Sequence, residues 1–344
     1  MNKTSVMIVG AGNQGLATAA YLSMNGVECY LYNRTLGHID KIVETQEIIC
    51  SGIWNQKVCV RNASSAIEDV LQKIIIVTTP AYAHAEIAGL LAGHVDSSYM
   101  ILLSPGKMYG TIDFIYSLRA AGCNQLPMVA ECQTTICASR REGKNGVKVY
   151  ALKSNIPIAS TGEEELEKVL NDLPECLKRC FAKANSYIET SFGNIGMVLH
   201  PMPMLLNWGS VEGGRGFKYY KEGITPTIAC LIERLDSERL EVAHRLGYDL
   251  ESIVHWMKRN YNTTGNGLYE HLQSNMNYKG IDAPSSIYNR YIEEDIPYGL
   301  VPVESTAKKL GIKVPVTTEV ISFAEMVMNC DYRRQGRQCR IFDA

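Results

Sequence analysis

The apolar run Val6-Met7-Ile8-Val9 stops at Gly10-Ala11-Gly12-Asn13-Gln14-Gly15, and a helical pattern from Leu16 to Met24 begins directly after it. A strand, a glycine turn and a helix at the start of a chain leave few folds open. Gly10 permits the tight turn, Gly12 leaves room for a pyrophosphate to approach the backbone, and Gly15 lets helix and strand pack closely. The helix N-terminus, with Asn13 and Gln14 in its first turn, offers N–H groups to the anion. A second apolar strand, Glu28-Cys29-Tyr30-Leu31-Tyr32, follows after one helix, so a whole βαβ unit surrounds the turn. The implied ligand is a dinucleotide. The implied fold is an α/β domain with a doubly wound sheet of Rossmann type.

Past the second strand, Asn33-Arg34-Thr35 stands where an NAD-binding chain carries an acid for the ribose 2′-OH. Arg34 can pair with a 2′-phosphate instead and lie against the adenine, with Asn33 and Thr35 adding hydrogen bonds. NADP(H) is therefore expected in preference to NAD(H), which stays open as the second choice. The run from Lys73 to Thr79 is continuously apolar at its centre, as in a strand buried on both faces, and Thr79-Pro80 lies at its carboxyl edge, where cofactors sit. A helix from Ala83 to Leu91, a strand from Tyr99 to Leu103 and a strand from Pro127 to Glu131 continue the pattern. Val147 to Leu152 reads as a last strand of the same sheet, Gly162 to Cys180 as one amphipathic helix, and Ser186 to Glu189 as one more strand.

From Gly193 onward strand runs disappear and helical periodicity dominates, so the expected organisation is a dinucleotide-binding domain over residues 1–190 and an all-α domain over residues 191–344. The basic stretch from Arg333 to Arg340 reads as a frayed, solvated terminus. The net charge of −2, from 34 basic and 36 acidic residues, gives no footprint for nucleic acid or an anionic membrane. No apolar run reaches the length of a signal core or a membrane span, so a cytoplasmic location is expected. The 11 cysteines form no CxxC pair, which points to reduced thiols and to no structural metal.

At the start of the helical domain, His200 is suited to proton transfer near neutral pH. Arg290 precedes the acids Glu293, Glu294 and Asp295 and a Pro/Gly turn. The runs His200-Pro201-Met202-Pro203-Met204-Leu205-Leu206-Asn207, Phe217-Lys218-Tyr219-Tyr220-Lys221-Glu222-Gly223-Ile224-Thr225-Pro226 and Asp236-Ser237-Glu238-Arg239, with the Arg290 to Pro302 segment, resemble the helical domain of the opine dehydrogenases, the octopine/nopaline group. The resemblance implies reductive condensation of an α-keto acid with the amine of an amino acid through an imine. It assigns proton transfer to His200, its orientation to Asp295, and a substrate carboxylate to Arg290. Asn207, Gln133 and Thr134 lie in similar stretches and are expected to touch substrate. The partners implied are small molecules, with a homodimer as an admissible assembly. Asp236 reads as half of an intrahelical salt bridge, and Tyr219-Tyr220 as packing. Two rivals stand beside this reading: a ketopantoate reductase-like or β-hydroxyacid dehydrogenase-like keto acid reductase, and a cofactor-binding sensor without turnover.

Overall fold

The computed structural model describes residues 4–340, and the chain forms two compact units that divide between Ser191 and Phe192. The first unit is built on an eight-stranded sheet. In chain order its twelve strands are β1 (Ser5–Val9), β2 (Glu28–Tyr32), β3 (Glu47–Gly52), β4 (Gln56–Cys59), β5 (Asn62–Ser64), β6 (Ile74–Val77), β7 (Met100–Leu103), β8 (Met128–Cys132), β9 (Cys137–Glu142), β10 (Gly146–Leu152), β11 (Ile156–Ser160) and β12 (Phe181–Lys183). The main sheet runs β12-β11-β8-β7-β6-β1-β2-β5, with every neighbouring pair parallel except β11 on β8. The chain leaves β1 in one direction to β2 and returns on its other side at β6. That reversal opens a crevice at the carboxyl end of β1, where the glycine turn lies.

Both faces of this sheet are covered, which is why its central strands read as continuous apolar runs. Val6 and Ile8 of β1 face the helix Asn13–Met24 through Leu16, Ala17 and Ala20. Met7 and Val9 face the opposite layer, where Ile87, Leu91, Phe114 and Leu118 sit on the helices His84–Leu91 and Gly110–Ala120.

Three sequence expectations change here. Val147–Leu152 does form a strand, but it belongs to a separate four-stranded sheet, β4-β3-β10-β9, packed on the helix Asn13–Met24 rather than to the main sheet. The expected helix over 162–180 is two, Glu163–Asp172 and Glu175–Lys178, because Pro174 has no N–H to continue the first. Ser186 to Glu189 is not a strand. The Ser186 hydroxyl accepts the Ile188 N–H and starts the helix Tyr187–Phe192.

The second unit is helical. Its longest helix, Pro226–Arg245, begins with Thr225 accepting the Ile228 N–H and Pro226 at the first helical position. Around it pack Pro201–Leu206, Leu268–Ser274, Val301–Leu310 and Pro315–Met328. Asp236 pairs with Arg239 one turn along the same helix at 2.7 Å, and both are buried. Arg239 also donates to the Phe192 and Glu251 carbonyls, and Asp236 accepts the Ile253 N–H, so the pair is fully bonded inside the bundle.

The basic terminus is not frayed over the described residues. Arg333 pairs with Glu304 at 2.6 Å and Glu325 at 2.5 Å, the Arg337 guanidinium lies 5.4 Å from the Tyr298 ring centre, and the Cys339 N–H donates to Ser305. Opposite charges and an aromatic face on neighbouring helices hold what composition alone presents as a solvated tail. All 11 cysteines are unbridged, and burial pushes the thiols of Cys29, Cys132 and Cys137 up to about 12. Among the described residues no helix is long and apolar enough to cross a membrane, and no cluster of metal-binding side chains occurs.

Candidate active site

The glycine turn in the first unit is fixed by close backbone approach. Gly10 has φ +101°, and its N–H donates to the Tyr32 carbonyl at 2.8 Å, which ties the end of β1 to the end of β2. A Cβ on Gly15 would lie 1.7 Å from the Gly10 carbonyl oxygen, so only glycine lets the helix start this close to the strand. A Cβ on Gly12 would meet nothing within 4 Å. The space over Gly12 is open, and the helix beginning at Asn13 has no side chain capping its N–H groups. The Gln14 Oε1 and Thr79 Oγ1 atoms, on the helix start and on the neighbouring strand end whose side chain lies against Gly10, are buried without hydrogen-bond partners. Open room, uncapped N–H groups and unsatisfied polar atoms together fit a pyrophosphate-bearing cofactor.

The loop after β2 is ordered by its own residues. The Asn33 carboxamide accepts the Ala11 N–H at 3.0 Å and donates to the Thr35 carbonyl at 2.9 Å, so this side chain braces the glycine turn. Thr35 is exposed and precedes a short 3-10 turn. Arg34 forms a two-pronged ion pair with Glu86, at 2.6 and 2.7 Å, on the surface. The Glu86 hydrogen bond and charge hold its guanidinium above the ordinary range. Pro80 is exposed at the end of β6 and precedes the turn Ala81–Ala83.

Sequence reasoning missed Arg141. It lies at the tip of the β9–β10 hairpin, and its guanidinium donates to four carbonyls: Ala11 in the glycine turn at 2.6 Å, His38 in the loop after β2, and Gly143 and Lys144 in its own turn. The Arg141 N–H and the Ser139 hydroxyl bond to Asn13, on its side chain and its carbonyl. The second sheet thus clamps the turn from outside. Its signal was present as Gly143-Lys144-Asn145-Gly146 between two alternating runs, a hairpin pattern.

In the helical unit, His200 precedes the helix Pro201–Leu206, and Asp295 ends the short turn that starts at the helix Arg290–Glu293. The structure brings them together: His200 Nδ1 is 2.7 Å from Asp295 Oδ2, with side-chain exposures of 13% and 1%. A buried carboxylate there sets the imidazole so that Nδ1–H points at oxygen. The chain then passes through a π-turn, Ile296–Leu300, containing Pro297, a geometry common beside functional residues. Gly196 makes room for the pair, since a Cβ there would lie 3.3 Å from both Asp295 Oδ1 and His200 Cε1.

Arg290, five residues before Asp295, is crowded by Glu294, Asp295 and Tyr291 but keeps an exposed surface, and among the described residues no ion pair occupies it. Desolvation works against its charge, yet the Glu294 and Asp295 carboxylates outweigh it and hold the guanidinium above its usual range.

The remaining expected substrate residues carry framework bonds. Both N–H groups of the Asn207 carboxamide are committed, to the Pro203 and Gly223 carbonyls at 2.8 Å, which closes the helix end. Thr134 accepts the Lys153 ammonium at 3.0 Å, and Gln133 is half-buried, its backbone N–H on the Pro157 carbonyl. Both amide donors of Asn207 thus serve the framework, and its carboxamide oxygen is the atom left to accept a further hydrogen bond.

Comparison with known proteins shows what the chain is similar to. A family model described as NAD/NADP octopine/nopaline dehydrogenase, alpha-helical domain, matches residues 183–328, and one described as ketopantoate reductase matches residues 6–105. The chain is 29% identical to the opine dehydrogenase of Arthrobacter sp. (strain 1C) over 340 residues, covering 96% of this chain and 92% of that one. Among solved structures, octopine dehydrogenase with NADH and L-arginine superposes with a TM-score of 0.77 at 21% identity, covering 95% of this chain and 90% of that one. NADP+-bound yersinopine dehydrogenase gives a TM-score of 0.77 at 14% identity, covering 97% of each chain. With a dinucleotide turn in its first unit and this match through its helical unit, the chain is similar over nearly its whole length to the octopine/nopaline group and is an opine dehydrogenase-like, NAD(P)-dependent oxidoreductase acting on CH–NH bonds.

Proposed function

We propose that this enzyme condenses an α-keto acid with the amine of an amino acid and reduces the resulting imine, with NADPH as the preferred reductant. The observation that carries this reading is the 2.7 Å pair of His200 and Asp295 with Arg290 in the same turn of chain. The bound cofactor supplies the hydride. Its pyrophosphate would rest on Gly12, Asn13 and Gln14, with Gly10 and Gly15 shaping the turn and Thr79-Pro80 at the neighbouring strand end.

The chain's own residues handle protons and carboxylates. Loss of water from the amine–keto acid adduct requires a proton delivered to the departing oxygen, and formation of the imine releases one from nitrogen. His200 Nε2 serves both transfers, and Asp295 on Nδ1 stabilises the imidazolium while it holds the proton. Arg290 binds a substrate carboxylate with two parallel N–H bonds, a geometry that a planar guanidinium matches. Glu294 and Asp295 keep Arg290 charged, so its cation is fixed when substrate arrives.

For the adenosine end, Arg34 is the 2′-phosphate ligand. Its bond to Glu86 is on the surface, where such pairs contribute little and exchange readily for a doubly charged phosphate. The support for NADP(H) is the absence of an acid at Asn33-Arg34-Thr35.

The test is NADPH oxidation with pyruvate, 2-oxoglutarate and related keto acids, each with and without a panel of L-amino acids, beside a His200→Ala variant. Turnover that needs both substrates and falls by about 10²- to 10⁴-fold in the variant supports the reading. Turnover with keto acid alone would move the enzyme to the hydroxyacid dehydrogenases.

A further inference from the structure

The His200 ring touches more than Asp295. Tyr291 lies against it with ring centres 4.1 Å apart and planes inclined by 21°. Tyr291 is itself held. Its ring packs on Tyr219 at 5.1 Å, and Tyr219 and Tyr220 meet edge to face at 5.1 Å. Tyr219, fully buried, donates its hydroxyl to the His200 carbonyl at 2.6 Å. Tyr278 stacks on Tyr220 at 4.2 Å and closes the bank from behind. Burial pushes the phenols of Tyr219, Tyr220 and Tyr278 far above their ordinary range, so these three carry no charge at any working pH.

A neutral ring stacked on an imidazole presents the negative face of its quadrupole to it. The interaction is weak for neutral imidazole and attractive for imidazolium. We propose that Tyr291 is a positioning residue for the reaction, whose ring face fixes the plane of His200 and stabilises its protonated form, while Asp295 fixes the direction of Nδ1. This rests on the reading of His200 as the proton carrier.

The other groups facing His200 are few. Asp295 favours the cation in the ring plane, and Arg290, in the same turn of chain, opposes it at longer range; Glu294 adds negative charge beside them. Along the chain at His200, the helix Gly196–Leu199 ends and Pro201–Leu206 begins, so a negative and a positive helix end meet there and offset. Asn194, which accepts the Gly196 N–H, is uncharged. Among the described residues, Tyr291 acts on the two protonation states of His200 through the ring face rather than through a full charge.

The measurement is an NMR titration of the His200 imidazole in the apoenzyme, which needs no turnover, run on wild type, Tyr291→Phe, Tyr291→Trp and Tyr291→Leu. In the wild type, the His200 carbon-bound protons should be shifted upfield by the ring current of Tyr291. Tyr291→Phe keeps the face and should titrate with wild type, and Tyr291→Trp, with the strongest face, at or above it. Tyr291→Leu keeps bulk without the face and should titrate lower by about half to one and a half pH units. The alkaline limb of kcat for reduction, which needs His200 protonated, should move to lower pH by the same amount.

An unshifted wild-type resonance would overturn the stacking, and so would equal titration of Phe and Leu variants. Should the Leu variant fail to fold, the Trp variant and the wild-type ring-current shift decide the matter. A His200→Ala enzyme that kept full turnover would instead refute the proton-carrier role and leave the titration result standing.

Discussion

The glycine turn of the first unit and the histidine pair of the second hold their working atoms by different means. The turn is held by backbone: Gly10 bonded to Tyr32, Gly15 against the Gly10 carbonyl, and Arg141 donating to the carbonyls of Ala11 and His38. The pair is held by side chains, with a carboxylate on one ring nitrogen and an aromatic ring on the face. Changes in the first region alter where N–H groups point and should appear in cofactor affinity. Changes in the second alter which proton is present and should appear in turnover.

The largest effect separating the two comes from Asp295→Asn. The amide nearly preserves the shape, but it can present an N–H to Nδ1 and reverse the tautomer, and it cannot stabilise imidazolium. A fall in kcat of about 10²- to 10⁴-fold is expected, with the dissociation constant for NADPH unchanged in fluorescence titration. If affinity fell in step with kcat, the two regions would not be separable in this way.

Next come the two glycines. Gly15→Ala drives a methyl group into the Gly10 carbonyl, and a loss of about 1–3 kcal/mol in thermal unfolding is expected, together with lost cofactor binding. Gly12→Ala meets no protein atom, and its stability should stay within about 0.5 kcal/mol of wild type. Its NADPH affinity should nevertheless fall by about tenfold or more, because the methyl group occupies the space the pyrophosphate needs. Equal behaviour of the two variants would mean that the open space over Gly12 is not the phosphate site.

Arg141→Gln carries the contrast to a residue 130 positions from the turn it supports. The shorter amide cannot span the Ala11 and His38 carbonyls together. NADPH binding should weaken by about tenfold, in line with losing one or two such bonds, while kcat at saturating cofactor holds. A kcat effect without an affinity effect would remove Arg141 from the cofactor region.

What the sequence made legible follows the same division. The glycine turn is a steric requirement written in consecutive residues, and the helical second unit is written in the loss of strand runs after Gly193. The hairpin that carries Arg141 was legible, but the contacts of Arg141 were not, because its partners are main-chain carbonyls, which any sequence supplies. The contact between His200 and Asp295 joins residues 95 apart, and only the resemblance of the surrounding runs pointed to it. Asn207 shows the converse: a polar residue in a family-like stretch whose two amide donors serve the fold, which no spacing reveals. Tyr291 was passed over since tyrosine in an amphipathic stretch reads as packing, and stacking on a particular ring has no spacing signature.

The smallest effect tests the adenosine end, where the two regions do not differ in kind, because the proposed role of Arg34 is side-chain charge within the backbone-built unit. On that proposal, removing its guanidinium deletes a contact made to the 2′-phosphate, which NADPH carries and NADH lacks. Arg34→Ala should therefore raise KM for NADPH about five- to tenfold and leave KM for NADH within twofold, the scale of one partly exposed charged hydrogen bond. Glu86→Gln sharpens the test. Glu86 is the present partner of Arg34, so a 2′-phosphate must displace it, and its removal should lower KM for NADPH without touching NADH. If both variants shifted the two cofactors equally, the Arg34–Glu86 pair would be a surface ion pair with no part in recognition, and the choice between the nicotinamides would have to come from the other donors of the loop after β2.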